Sequence, residues 1–509
     1  MGNATSRAVV IGAGVGGLVS AVELARRGVE VVVLERAPQV GGKMRQVGVA
    51  GRSIDAGPTV LTMRWVFEEI FGAAGVSLDE ALQLRPADVL ARHSWGEGPT
   101  LDLYADLERS VEAIRAFAGP AEAEGYRRFC AYAQRINDTV QKPFMRSERP
   151  SLAMAMAAFG TLGLSGLLHI DGHRTLWKAL GDFFQDARLR QLFGRYATYC
   201  GSSPFLAPAT LNVIAHVERE GVYLVEGGMY RVAEALVALA KRLGVTIRCG
   251  EHVQEVLVSG GRAAGVKLGS GERIHADVVV HNGDPSALAG GLLGGPAKRA
   301  TSPTTPRSLS AMTWTFVAEG RGFPLVRHNV FFSRDYVEEF RDLFDRSALP
   351  AEPTVYVCAQ DRDDRGVPPG GPERFLVLVN APATGDQRPL SNSEIQRCEK
   401  AAFSLLNRAG LSFPPFPAPP VVTTPSDFDR MFPATGGALY GPASHGWRSP
   451  FARSGSRTKI PGLFLAGGGV HPGAGVPMAA LSGRLAATAA LEDLTSTSRS
   501  SVTATPGGM

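Results

Sequence analysis

Ala8–Ile11 is an unbroken apolar run, the pattern of a parallel strand covered on both faces. Glycines follow at 12, 14, 16 and 17, then apolar residues at helical spacing, then a second apolar run, Val29–Leu34, ending at Glu35. The pattern predicts strand, glycine turn, helix, strand. From Leu78 to about Ala215 charged and apolar residues interleave at helical spacing, so this stretch is expected to be mostly helical. Strand–helix alternation returns with a helix over Tyr230–Leu243 and a strand over Val245–Arg248. Arg262–Leu268 and Arg273–Val280 read as the paired strands of a small sheet. Pro296–Arg307 has linker composition. Ser310–Glu319, Pro353–Ala359 and Arg374–Val379 read as strands and Ser393–Ala409 as a helix. A last strand, Leu463–Ala466, leads through a glycine loop into a helix over Met478–Leu494. Strands alternating with helices make the fold class α/β.

The glycines carry the first chemistry. Gly12, Gly14 and Gly17 stand in G-x-G-x-x-G spacing between strand and helix. Gly12 permits a tight turn, Gly14 lets a pyrophosphate approach the backbone, and Gly17 lets helix and strand pack closely. The helix N-terminus offers free N–H groups to phosphate. Glu35, at the end of the second strand, can accept both hydroxyl protons of an adenosine ribose. An ordinary βαβ unit with a glycine-rich turn is the plainer alternative. Gly41-Gly42-Lys43 adds a second glycine pair just past the ribose acid, which an NAD fold does not need, and shifts the dinucleotide toward FAD. The loop Gly467–Pro477 repeats the same physics before the last helix.

Length and composition narrow this picture. At 509 residues the chain exceeds one ordinary core, so two or more domains are expected. The net charge of +5 comes without any Lys/Arg run, which argues against nucleic acid and suits an anionic membrane surface. Five scattered cysteines and ten histidines form no metal pattern and no disulfide framework, so no metal is expected and a reducing compartment is. No signal peptide is read at the N-terminus. Ser151–Ile170 carries no charged residue; Gly and Pro argue against a spanning helix, leaving an interfacial segment or tunnel wall, or a plain buried segment. The Ser/Thr/Gly/Pro-rich end, 495–509, is expected to be disordered.

The pattern from Val9 to Lys43 resembles the FAD-dependent family that holds phytoene desaturases, carotenoid isomerases, amine oxidases and protoporphyrinogen oxidase. Phe183–Arg190, Tyr199–Pro208, Thr424–Phe428, Gly436–Gly441 and His471–Pro477 resemble its carotenoid desaturase branch. The resemblance implies a discontinuous Rossmann-like FAD-binding domain with an inserted α+β substrate domain. The expected pieces are FAD-binding parts at 1–85, 220–295 and 456–494, a helical substrate or membrane-facing part at 86–219, and a mixed substrate part at 296–455. It implies cofactor contacts at Gly12, Ala13, Gly14, Gly16, Gly17, Glu35, Gly41, Gly42, Lys43, Gly57, Pro58, Thr59, Gly467, Gly468, Gly475, Val476 and Pro477, with the backbone of Val253 on the adenine. Gly283 departs from the family's usual Asn-Ala-Asp, and Gly468 stands where many flavoproteins place an acid near the ribityl chain, leaving that task to backbone N–H groups.

The implied activity is desaturation: a hydride leaves for flavin, and the cation spread along the polyene needs only a weak base to lose its neighbouring proton. No catalytic dyad is therefore demanded and none is read, although Asp171, His173 and Arg190 are candidate pocket residues. The finer resemblance is to bacterial enzymes acting on 1-hydroxy or 1-methoxy acyclic carotenoids, which implies 3,4-desaturation; phytoene desaturation stays open. An amine-oxidase-type enzyme and a non-enzymatic binding protein of the GDP-dissociation-inhibitor type are the rivals. The expected partner is a lipophilic carotenoid, and the expected location is peripheral, on the cytoplasmic side of the inner membrane. Oligomeric state is left open.

Overall fold

The computed structural model describes residues 5–148, 170–414, 416–447 and 449–502. The interfacial reading of 151–170 therefore lies, Ile170 aside, outside the described residues.

Five strands form one all-parallel sheet: β1 (Arg7–Ile11), β2 (Glu30–Glu35), β9 (Thr246–Cys249), β13 (Val278–His281) and β21 (Leu463–Leu465), in the order β21-β13-β1-β2-β9. Alternation along β1 explains its unbroken apolar run. Ala8 and Val10 face the helices Val15–Ala25, Tyr230–Arg242 and Val476–Val502. Val9 faces the other way, onto the antiparallel sheet of β10 (Val253–Ser259), β11 (Arg262–Leu268) and β12 (Arg273–His275). Both sheet faces are thus covered.

A second, seven-stranded sheet has the order β20-β14-β18-β17-β16-β6-β7. Its strands are β6 (Val89–Ser94), β7 (Leu101–Tyr104), β14 (Ser310–Ala318), β16 (His328–Phe331), β17 (Val355–Ala359), β18 (Glu373–Ala381) and β20 (Val421–Thr423). Trp314 and Phe316 of β14 pack under the helix Asn392–Arg408. Val317 meets Val49 and Ile54 of the hairpin β3 (Gln46–Val49) and β4 (Arg52–Asp55). Two short pairs complete the strands: β5 (Leu84–Pro86) with β8 (Tyr223–Val225), and β15 (Arg321–Gly322) with β19 (Leu411–Ser412).

Four expectations need correction. The stretch from Leu78 is not helical throughout, because β5, β6 and β7 occupy much of 84–104; Leu101 and Leu103 are buried while Asp102 and Tyr104 are half-buried, a period of two rather than 3.6. Arg273–Val280 is not one strand. β12 pairs with β11, whereas β13 crosses to the parallel sheet, where Asp277 ties it to the start of β1 through hydrogen bonds in both directions with the Arg7 backbone. Within the linker-like 296–307, Pro296–Ala300 forms a 3-10 turn. The last helix runs to Val502, through the first eight residues of the stretch expected to be disordered.

Candidate functional site

Gly12 leaves β1 at φ +98°, and its N–H donates to the Leu34 carbonyl at 2.8 Å. A Cβ on Gly17 would fall 2.1 Å from the Gly12 carbonyl oxygen, so only glycine lets the helix Val15–Ala25 start this close to the strand. Gly14 is its N-cap and offers no side-chain acceptor, so the leading N–H groups are left to a ligand. The bare Cα of Gly14 also makes room for Asn282, whose Nδ2 would lie 3.0 Å from a Cβ there.

Glu35 turns its carboxylate onto this loop. Oε2 accepts the Ala13 N–H at 2.7 Å and Oε1 accepts the Ala37 N–H at 2.8 Å. The Gly41 N–H donates to the Ala13 carbonyl at 2.9 Å, and Gly42 lies against the Cα of Gly14. Gly41 and Gly42 take φ of +105° and +58°, a conformation that favours glycine. Val253 enters β10 beside this corner: the Glu251 N–H donates to the Glu35 carbonyl at 2.8 Å.

Lys43 is held elsewhere. Its Nζ donates to the Leu439 carbonyl at 2.7 Å and sits over the Phe432 ring. Burial pushes its pKa down to about 8, against the pull of the Asp284 carboxylate. A Cβ on Gly57 would strike the Lys43 carbonyl at 2.0 Å, so Gly57-Pro58-Thr59 runs directly over the Lys43 backbone. Asp55 accepts the Met229 N–H at 2.6 Å, drawing the Gly227-Gly228-Met229 loop to the same place. Thr59 shares a 2.7 Å hydrogen bond with the Tyr356 hydroxyl.

The C-terminal loop closes the group. Gly467, at φ +110°, donates its N–H to Ser482 Oγ at 2.7 Å. The Gly468 carbonyl accepts from Arg453 at 3.1 Å. The Gly475 carbonyl accepts the Ala479 N–H at 2.9 Å and so begins the last helix, with Val476 and Pro477 in its first turn. A Cβ on Gly16 would come within 2.8 Å of the Gly467 nitrogen: the first and last glycine loops touch.

Asp171, His173 and Arg190 are not part of this assembly. Asp171 is buried in an ion pair with Arg174 and accepts the Tyr132 hydroxyl at 2.8 Å. Arg190 Nε donates to the Phe184 carbonyl at 2.7 Å, and the His173 side chain is largely exposed. Their partners, Tyr132, Arg174 and Phe184, lie with them in the helical part of the chain. Among the described residues no group of His, Cys, Asp or Glu has the arrangement of a metal site.

The profile of the family described as flavin containing amine oxidoreductase matches residues 15–491. The chain belongs to this family. It is 54% identical to a hydroxyneurosporene desaturase of Rubrivivax gelatinosus over 508 residues, covering 99% of this chain and 97% of the relative. It is 48% identical to the hydroxyneurosporene desaturase of Cereibacter sphaeroides, covering 97% and 99%. A 4,4'-diapolycopene oxygenase of Methylomonas sp is 29% identical, covering 97% and 99%. Among solved structures, putrescine oxidase superposes with a TM-score of 0.59 at 15% identity, over 97% of this chain and 99% of that one, a likeness of fold. This flavin oxidoreductase is therefore an FAD-dependent enzyme with a Rossmann-like α/β cofactor fold.

Its residues fit FAD. Gly12, Gly14, Gly41 and Gly42 form a cradle that side chains would fill, the helix above it has no side-chain cap, and Glu35 stands beside it. Two flavoenzyme residues escaped the sequence reading. Asn282 donates to the Gly12 carbonyl at 3.2 Å and would contact a Cβ on Gly14, Gly16, Gly17 or Gly467, so it pins the two loops together. Asp284 brings its Oδ2 to 3.0 Å from where a Gly469 Cβ would stand, so an acid from the end of β13 borders the C-terminal glycine loop. Asn282-Gly283-Asp284-Pro285 was visible as a departure from the family pattern, but nothing local to it announces a contact 270 residues away.

Proposed function

We propose that this flavoenzyme introduces a C-3,4 double bond into acyclic 1-hydroxy or 1-methoxy carotenoids. The observation that carries this is the 54% identity, over nearly the whole length of both chains, to a hydroxyneurosporene desaturase. When bound, FAD supplies the acceptor for the hydride that leaves one of two adjacent saturated carbons.

The chain's own part is holding and enclosing. In this reading Gly12, Ala13, Gly14, Gly16 and Gly17, with Gly41 and Gly42, hold the pyrophosphate side, while Lys43, its Nζ on the Leu439 carbonyl, meets the cofactor through its backbone beside Gly57. Glu35 accepts the ribose hydroxyls and the backbone of Val253 meets the adenine. Gly57, Pro58, Thr59, Gly467, Gly468, Gly475, Val476 and Pro477 border the flavin. The segments 1–85, 220–295 and 456–494 form the FAD-binding unit, a division supported by the five strands they contribute to one parallel sheet. The segments 86–219 and 296–455 enclose the substrate, supported by their shared seven-stranded sheet.

A carotenoid dissolves in lipid, no helix among the described residues is long and apolar enough to cross a membrane, and the net charge is +5. These support peripheral work on the cytoplasmic face of the inner membrane. The deciding experiment incubates the holoenzyme in liposomes with 1-hydroxyneurosporene, neurosporene or phytoene. A red-shifted product from the hydroxylated substrate is expected. Conversion of phytoene alone would make it a phytoene desaturase instead.

A further inference from the structure

A polar cluster lies inside the part of the molecule that the proposed function gives to a hydrocarbon. Arg195 opens the 3-10 turn Arg195–Cys200. Its Nη1 donates to the Tyr199 hydroxyl at 3.1 Å, and that hydroxyl donates to Glu218 Oε1 at 3.0 Å. The Tyr196 hydroxyl donates to the other oxygen of Glu218. The guanidinium lies 5.1 Å from the Tyr199 ring centre and 5.7 Å from that of Tyr356. Among the described residues, Tyr199 is the only hydrogen-bond partner of the guanidinium, and no carboxylate pairs with it. Its remaining N–H donors have no partner among the described residues. Arg195, Tyr199, Tyr356 and Tyr440 are each half-buried and keep accessible surface, which makes them candidate walls of one chamber.

Two contacts place this chamber against the cofactor motifs. Tyr356 shares its hydroxyl with Thr59 at 2.7 Å and with His328 Nδ1 at 2.8 Å. On the other side Arg453 joins the carbonyls of Tyr440 and Gly468, each at 3.1 Å. His328 is buried and its Nε2 has no partner among the described residues.

We infer that Arg195, oriented by Tyr199 and Glu218, receives the oxygen at the end of the substrate chain. This rests on the proposed 1-hydroxy or 1-methoxy carotenoid. An alcohol and a methyl ether both present an oxygen acceptor, so one guanidinium serves both. An anion is disfavoured, because Glu218 already sits beside Arg195. The oxygen on C1 is two carbon–carbon bonds from C3, so its recognition point and the reacting carbons must share one chamber. A plain hydrocarbon end would leave the guanidinium unsatisfied, and a site built to hydrogen-bond rejects an analogue that lacks the partner.

The test compares kcat/KM of wild-type, Arg195→Met, Arg195→Lys and Tyr199→Phe holoenzymes on 1-hydroxyneurosporene, 1-methoxyneurosporene and neurosporene in the same liposomes. Wild type is expected to prefer both oxygenated substrates. Arg195→Met should lose that preference by about tenfold or more with an unchanged flavin spectrum, and Arg195→Lys should recover part of it. If Arg195→Met yields no folded holoenzyme, Tyr199→Phe is read in its place, with a smaller loss in the same direction. A preference ratio that stays at the wild-type value in the variant read overturns the inference. So does a wild type that treats all three substrates alike, although the desaturase reading would survive that result. A wild type that desaturates no oxygenated substrate defeats the proposed function itself, whatever the variants do.

Discussion

Glu35 holds two backbone N–H groups, those of Ala13 and Ala37, with one carboxylate. It can therefore fix the shape of the dinucleotide loop as well as meet a ribose. A hydrogen bond to a charged group is worth about 1.5–3 kcal/mol, so Glu35→Ala should weaken FAD binding by about tenfold or more. Titrating the FAD-depleted protein measures this, and an unchanged Kd refutes the assignment. Glu339 carries a pH prediction. Buried and accepting from Ser333 at 2.7 Å and Thr354 at 2.6 Å, it has its pKa pushed up to about 7 by burial. A raised carboxyl pKa gives stability that is fully present below pH 4.5 and lost as pH rises through 7, roughly 3 kcal/mol in all. Glu339→Gln cannot titrate, so its stability relative to wild type should improve between pH 4 and pH 8. Denaturant midpoints at the two ends check this, and a constant difference contradicts it. At this scale the glycines and Glu35 were legible because each answers to its neighbours in the chain. Asn282, Asp284 and Arg195 were not, since their roles depend on residues far away in sequence.

The first and last helices meet where neither has a side chain. Ser20 Oγ bonds the Gly16 carbonyl at 2.8 Å and the Gly483 carbonyl at 3.0 Å. A Cβ on Gly483 would fall 2.3 Å from the Gly16 carbonyl oxygen, an atom of the backbone. Gly483→Ala must then push the helices apart, at a cost of about 1–3 kcal/mol for overpacking. Because Gly16 also abuts Gly467, the same variant should retain less FAD. Melting temperature and the flavin-to-protein absorbance ratio report the two effects, and wild-type values for both would show that the crossing tolerates a methyl group. The strands of the parallel sheet, β14, β17 and β18 of the second sheet, and the helix Asn392–Arg408 were readable from period, whereas β16 and β20 were not read. β6 and β7 were missed because Arg92, His93 and Asp102 interrupt the apolar count; they pair across the strands, with Arg92 bonded to Asp102 at 2.7 Å.

In the whole molecule, one parallel sheet is assembled from three distant stretches of chain, and the βαβ start, the discontinuous middle and the final glycine loop were legible in their order. The pairing was not: nothing in Val278–His281 says that it belongs beside β1 rather than β11. Since FAD would bridge pieces joined only by folding, its binding should stabilise all of them together. At free FAD a hundredfold above Kd the gain is about 2.7 kcal/mol. Melting of holo- and FAD-depleted protein tests this, and separate transitions for the two sheets would oppose it. Sedimentation with phosphatidylglycerol vesicles should fall as salt rises, if the +5 charge drives attachment. The order of strands has a further meaning in time. β21 leaves the ribosome about 430 residues after β2, on the order of a minute at roughly 5–20 residues per second. Until then β13 lacks its outer neighbour and the Gly467 loop has not been synthesised. A nascent chain can shape the nucleotide corner early, but it cannot seal the cofactor in. Loading is thereby deferred until translation is nearly over, and a ribosome that stops short releases a chain unable to close its site.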